Sequence, residues 1–108
     1  MNPIVTKLAG VTFRNAQRNI WTFGSGDFDR FDLVREPNNP SDQNAIRVTI
    51  GGVVHLGYVP KELAKELAPI IDEGRKLTAF FVSRNQDPTH RTVGLTVRIE
   101  EVPPKQAA

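Results

Sequence analysis

The chain of 108 residues contains no cysteine, and it has only two histidines, one tryptophan, one tyrosine and one methionine. The absence of cysteine excludes disulfides, thiol nucleophiles, iron–sulfur clusters and cysteine-ligated zinc. No apolar run approaches the roughly 20 residues that a membrane-spanning helix requires. The first residues lack a basic segment followed by an apolar stretch, so we expect no secretory signal peptide. We expect a cytoplasmic protein without a membrane partner.

An excess of charge of one sign is also missing. Fourteen Lys and Arg residues face twelve Asp and Glu residues, which leaves a formal net charge of +2. Strong non-specific duplex binders carry a heavier basic excess. Any nucleic acid that this chain binds should therefore contact a small local footprint, and a short single strand or an end fits better than a long duplex groove.

Signals of catalysis are sparse. Neither His55 nor His90 adjoins a nucleophile motif, and both are interpreted as structural or solvated side chains. Asp27, Asp29 and Asp32 lie close together in sequence, but the glycine and the distal glutamate of a calcium loop are missing. We therefore expect no enzymatic activity, metal or cofactor, because a hydrolase or nuclease would have to rely on those three carboxylates.

The hydrophobic pattern favours a mostly β fold with one helix. Pro60 is suited to the start of that helix, Pro69 should kink or divide it near its end, and Gly74 should end it. Gly51 and Gly52 supply the positive φ angles of a tight hairpin. Residues 14–26 are interpreted as a loop with at most one helical turn, and Gly10 as a bend or bulge. The predicted strands cover residues 4–13, 27–36, 45–50, 53–59, 76–84 and 92–100. Short strands with one inserted helix indicate a small, partly open OB-like or SH3-like barrel of about six strands.

Two connections contain more turn-forming, charged and aromatic residues than a simple link between two elements requires. In the loop of residues 36–44, Asp42 and Asn44 are able to form local side-chain turns, but loops on a rigid scaffold are also where recognition concentrates. Around residues 57–63 a strand ends and a helix begins, which brings free N–H groups and Lys61 together as an anion-attracting site. Tyr58 there suits either base stacking or packing in the core.

These two segments, LVREPNNPSDQNAIRV (33–48) and LGYVPKELA (56–64), together with LAGVTF (8–13), resemble the HIRAN domain. The resemblance covers roughly residues 4–102. HIRAN domains occur attached to Swi/Snf-type ATPases that remodel stalled replication forks, and also as stand-alone proteins in bacteria and phages. The resemblance implies an OB-like barrel that binds the 3′ end of single-stranded DNA.

The resemblance also implies a role for particular residues. Asp42 matches the aspartate that accepts the terminal 3′-hydroxyl, and a carboxylate suits that task because it only accepts hydrogen bonds. Lys61 matches a phosphate-contacting lysine, Phe13 matches a base-stacking tyrosine, and Tyr58 stands in place of a histidine. A second phosphate contact would come from Arg14 if Gly10 introduces a bulge.

The prediction is therefore one HIRAN-like domain over residues 1–102 with a flexible tail over residues 103–108. Its expected function is non-catalytic binding of a single-stranded DNA 3′-hydroxyl end in DNA repair or replication-fork processing, with a helicase or Swi/Snf-type ATPase as the candidate partner. The alternative is a protein–protein adaptor without DNA affinity, which Phe80 and Phe81 would serve if one ring were exposed on an edge strand.

Overall fold

A computed structural model describes residues 1–26, 28–86, 89 and 91–103 of the chain. Within those residues it contains six strands and two helices. The elements, in chain order, are β1 (Ile4–Lys7), α1 (Ala16–Phe23), β2 (Arg30–Arg35), β3 (Ile46–Ile50), β4 (Val54–Tyr58), α2 (Lys61–Asp72), β5 (Leu77–Gln86) and β6 (Val93–Glu101).

All six strands form one antiparallel sheet in the order β1-β6-β5-β2-β3-β4. The sheet curls into a half-barrel, so that the chain just after β1 approaches the last residue of β4. There Ala9 and Tyr58 form an isolated antiparallel bridge with N–H···O distances of 2.7 and 2.8 Å. The predicted partly open barrel of six strands is confirmed, and this single bridge is the point where its edges meet.

The core lies on the inner face of the curled sheet. Along β6 every second residue is fully buried, as the period of two in a half-buried strand requires. The largest buried side chain is that of Phe31 in β2. The α2 helix contributes Ala64, Leu67 and Ala68 to the same core. Strand alternation and one helical stripe thus converge on a single hydrophobic core, as expected for one domain of this size.

Most of the local signals in the sequence produced the predicted structure. Gly51 and Gly52 have φ angles of 63° and 76° at the β3–β4 turn. The α2 helix begins directly after Pro60 and is followed by Gly74, whose φ is 93°. Pro69 lies within α2 and does not divide it, since the helix continues to Asp72.

The prediction of one helix was wrong, because residues 14–26 contain α1 rather than a plain loop. Ala16 and Ile20 are buried, and Phe23 completes an apolar stripe at helical spacing. Gly24 ends the helix by donating its N–H to the carbonyl of Ile20 at 2.7 Å. A Cβ at this position would lie 2.6 Å from that carbonyl oxygen, so only glycine fits here.

Two further expectations need correction. The first strand ends at Lys7 and not near residue 13, because the chain leaves the sheet edge after the bridge at Ala9. Phe80 and Phe81 are not on an edge strand, since β5 lies inside the sheet between β6 and β2. Phe81 packs against the core, and Phe80 is partly covered by two arginine side chains.

Parts of the prediction fall on residues that the structure does not describe, namely Asp27, His90 and positions 104–108 of the expected tail. No helix among the described residues has both the length and the apolar character needed to span a bilayer.

Candidate nucleic-acid interface

The connection between β2 and β3 folds as a series of tight turns. The N–H groups of Asn39, Asp42 and Ala45 each donate to the carbonyl three residues earlier, at 3.1 to 3.3 Å. The N–H of Glu36 donates to the carbonyl of Ala45 at 2.9 Å, which closes the loop at its base. Because these backbone hydrogen bonds fix the conformation of the loop, they also fix the positions from which its side chains project.

Asp42 is half-buried in this loop, and its two carboxylate oxygens have different roles. Its Oδ1 accepts the backbone N–H of Asn44 at 2.9 Å, which is an Asx turn. Its Oδ2 has no hydrogen-bond partner among the residues that the structure describes. The first oxygen fixes the orientation of the carboxylate, and the second keeps its capacity to accept a hydrogen bond.

A bend at Gly10 brings two further predicted residues to the same place. Gly10 has a φ of 60°, and its carbonyl accepts the N–H of Phe13 at 3.3 Å. Arg14 and Asn15 follow with φ angles of 55° and 63°, which few non-glycine residues adopt. This turn, and not a regular strand, places Phe13 and Arg14 beside Asp42, Tyr58 and Lys61 in one surface groove. The predicted bend is therefore confirmed, although the sequence did not reveal the left-handed residues after it.

Glu36 organises the polar wall of the groove. Its Oε1 accepts the hydroxyl of Tyr58 at 2.8 Å and the side-chain amide of Asn39 at 3.1 Å, and its Oε2 accepts Arg14 at 2.9 Å. The same Arg14 nitrogen donates to the Tyr58 hydroxyl oxygen at 2.6 Å. Partial burial opposes ionisation of Glu36, but these hydrogen bonds outweigh it and lower the pKa of the carboxyl. Glu36 is thus a carboxylate at neutral pH that fixes Tyr58 and Arg14.

His55 lies behind Tyr58, with their ring centroids 5.1 Å apart in an edge-to-face arrangement. Arg47 donates through Nε to His55 Nδ1 at 3.1 Å, so the neutral imidazole carries its proton on Nε2. That Nε2 is buried and has no hydrogen-bond partner among the described residues. Burial, reinforced by the positive charge of Arg47, lowers the pKa of His55 to about 4. His55 is therefore a neutral structural side chain, consistent with its sequence-based interpretation.

The five residues named from the sequence line one open groove of about 600 Å³. Phe13 is 64% exposed at its rim, which leaves much of the ring free to stack. Lys61 is exposed at the first position of α2, where the unpaired N–H groups of the helix start add to its positive charge. The groove is lined by Ala9, Gly10, Phe13, Arg14, Asn39, Ser41, Asp42, Ala45, Tyr58, Val59 and Lys61.

Sequence reasoning missed the contributions of Glu36 and Asn39. Both lie in the same turn-rich run as Asp42, and that run was the available signal. Among the residues that the structure describes, no group of three His, Cys, Asp or Glu side chains lies together in a way that could hold a metal ion. Asp29 and Asp32 are exposed there, and Asp27 lies outside the described residues.

The turn at Gly10 provides a test of how the groove is built. A Cβ at Gly10 would lie 3.0 Å from Cδ2 of Tyr58, whereas a Cβ at Gly51, which has nearly the same φ, would meet nothing within 4 Å. Both Gly→Ala variants incur backbone strain of about 1–2 kcal/mol, and Gly10→Ala should lose further stability through the clash. Urea denaturation measures both losses. Equal losses in the two variants would show that Tyr58 does not press on Gly10.

The comparisons with known proteins agree on one family. The family model for the HIRAN domain matches residues 3–102. A Fanconi-associated nuclease 1 homolog from Arabidopsis thaliana is 46% identical over 41 residues, which are 38% of this chain and 5% of that protein. The helicase-like transcription factor of Oryctolagus cuniculus is 55% identical over 40 residues, 37% of this chain and 4% of that protein. The matches thus span only a small part of these much longer relatives.

Two crystal structures share the fold. A protein from Lactobacillus plantarum superposes with a TM-score of 0.65 at 22% identity, covering 92% of this chain and 99% of that one. The HIRAN domain of human HLTF superposes with a TM-score of 0.62 at 23% identity, covering 91% of this chain and 74% of that one. Both similarities concern the arrangement of the half-barrel and its helices.

Proposed function

The chain belongs to the HIRAN domain family, and from that membership and the groove we propose that it binds single-stranded DNA at a 3′-hydroxyl end without catalysing a reaction. The observation that carries this proposal is the carboxylate of Asp42, which is fixed through one oxygen and open at the other inside a groove that also presents an aromatic ring and a lysine. The relatives named after DNA-repair nucleases and helicase-like factors support a DNA ligand.

The chemistry of the groove suits a hydroxyl end better than a phosphate end. The open oxygen of Asp42 accepts the hydrogen of a terminal hydroxyl, and its charge repels a terminal phosphate. Phe13 supplies a stacking surface that tolerates any base. Lys61 and Arg14 supply two positive charges, but Asp42 and Glu36 balance them, so the groove does not act as a general polyanion site. This balance favours recognition of an end over binding along a strand.

The surroundings of the groove also favour DNA over the alternative of a protein adaptor. The lining is apolar at Ala9, Ala45 and Val59, as an adaptor would require, but it also carries the positive charges of Arg14 and Lys61, which suit DNA phosphates. A role in DNA repair or replication-fork processing, with a helicase or Swi/Snf-type ATPase as partner, belongs to the same proposal. Binding of only the last nucleotides gives modest affinity, and a linked or associated motor would raise the effective affinity.

Fluorescence anisotropy with short single strands labelled at the 5′ end tests the proposal. We expect strands ending in a 3′-hydroxyl to bind at least about tenfold more tightly than strands ending in a 3′-phosphate, because a hydrogen bond to a charged group contributes about 1.5–3 kcal/mol. With two phosphate contacts, the salt dependence on a log–log plot should have a slope of about −1.4. Equal affinity for both ends would contradict recognition of the hydroxyl, and no binding at low salt would refute the DNA ligand.

A further inference from the structure

The only tryptophan of the chain lies outside the groove, on the solvent-facing side of α1. Ala16 and Ile20 fix the buried side of this helix, and Trp21 remains 44% exposed. Arg84 from β5 lies over the indole, with its guanidinium carbon 4.8 Å from the ring centroid, and it also donates to the Trp21 carbonyl at 3.3 Å. A large aromatic ring is thus held in place at the surface by a cation.

Both elements that hold this ring carry positive charge. From Arg14 to Gly26 the chain contains no acidic residue, and neither does β5. Arg18 is exposed three residues before Trp21, so it lies on the same side of α1. An exposed aromatic side chain beside arginines, without acidic neighbours on either element, is complementary to a strand that offers both bases and phosphates.

A short connection links the groove rim to α1. The carbonyl of Phe13, at the groove rim, accepts the N–H of Ala16, the first residue of α1, at 2.9 Å. Trp21 follows five residues later, which is about 7.5 Å of helical rise. A strand that leaves the groove across the exposed side of α1 therefore reaches the indole within a few nucleotides.

We propose that Trp21 and Arg84 form a second stacking platform, which binds bases of the same single strand on the 5′ side of its terminal nucleotides. The proposal rests on the proposed DNA function and extends it from a bound end to a bound tract. A base stacks on the exposed part of the indole, while Arg84 holds the ring and neutralises a neighbouring phosphate, as aromatic and basic side chains do in other single-strand sites. Arg18 adds a further phosphate contact.

The test uses the tryptophan fluorescence of the wild-type protein, excited at the long-wavelength edge where Tyr58 in the groove does not absorb, so that the signal reports on Trp21, the single tryptophan of the chain. A decanucleotide ending in a 3′-hydroxyl should quench this fluorescence and bind about 5- to 100-fold more tightly than a trinucleotide with the same end. The trinucleotide should bind without quenching. Anisotropy of the 5′-labelled strands, recorded in parallel, shows independently that each strand is bound.

Variants separate the platform from the groove. Trp21→Ala should remove the gain in affinity of the decanucleotide and leave trinucleotide binding unchanged, whereas Trp21→Phe should retain most of that gain. Val53→Ala, which shortens an exposed side chain in the β3–β4 turn, serves as the control that changes neither affinity. The platform would be overturned if the decanucleotide bound without quenching the fluorescence of Trp21 and with the same affinity as the trinucleotide.

The outcomes for the platform and for the proposed function remain distinguishable. A decanucleotide blocked by a 3′-phosphate should bind more weakly but still quench Trp21, because the platform does not contact the end. Quenching with equal affinity for both ends would support the platform and contradict hydroxyl recognition. Preference for the hydroxyl end without quenching would support hydroxyl recognition and contradict the platform.

Discussion

Replacing Asp42 by asparagine should lower the affinity for a 3′-hydroxyl strand by about 10- to 150-fold, which corresponds to the roughly 1.5–3 kcal/mol of a hydrogen bond to a charged group. Asparagine retains a carbonyl oxygen that can accept the N–H of Asn44, so the Asx turn should persist. The other atom becomes an amide nitrogen, which donates and does not accept. The same strand with a 3′-phosphate should bind no worse than to the wild type, because the repelling charge is gone.

The control for this prediction is Asp32→Asn, which removes the same charge from an exposed side chain on β2. It should leave the preference for the hydroxyl end intact. Urea denaturation should show that Asp42→Asn remains folded with a stability close to that of the wild type. Undiminished discrimination between the two ends in Asp42→Asn would exclude its carboxylate as the group that recognises the hydroxyl.

The second large effect concerns stability and follows from Glu36. Replacing it by glutamine should lower the free energy of unfolding by about 1.5–3 kcal/mol, because charge-assisted hydrogen bonds from Arg14 and Tyr58 are lost or weakened. Urea denaturation at neutral pH measures the loss. Glu66→Gln is the matched control, since Glu66 is exposed on α2, and it should change the stability by less than about 0.5 kcal/mol.

The pH dependence supplies an internal check on that result. The pKa of Glu36 is lower in the folded protein than its ordinary value of 4.5, so the carboxylate stabilises the fold above that value. This contribution is lost as the pH falls through the folded-state pKa. The stability difference between the wild type and Glu36→Gln should therefore be full at neutral pH and shrink in acid below 4.5. A difference that is constant across this range would assign the loss to packing.

The sequence was most informative where one local rule determines the structure. Alternation of apolar residues around the Gly51-Gly52 pair was sufficient for the hairpin, and the Pro60 and Gly74 positions were sufficient for the limits of α2. The α1 helix was missed because its start has no side-chain cap and its N-cap, Asn15, is in the left-handed conformation. Its signals were the spacing of Ala16, Ile20 and Phe23 and the glycine that follows them, Gly24.

In the candidate site, too, the sequence predicted what local runs of residues determine and not what depends on tertiary contacts. Asp42, Lys61 and Phe13 were predicted through the three runs that resemble the HIRAN domain. The joining of Arg14 and Tyr58 by Glu36 was beyond sequence reasoning, because it depends on three segments meeting in space. For the same reason the sequence left open whether Phe80 and Phe81 lie on an edge strand, since the order of strands in a sheet is set by tertiary pairing and not by local pattern.

The bridge between Ala9 and Tyr58 has a consequence for how ligands affect the whole half-barrel. It is a seam of two backbone hydrogen bonds, whereas each neighbouring pair of strands is held along several residues. Both of its residues also line the groove. A ligand that binds only when the seam is shut must disfavour its opening, so filling the groove tightens the barrel by linkage. The amide hydrogens of Ala9 and Tyr58 should accordingly exchange with solvent more slowly as the groove becomes occupied.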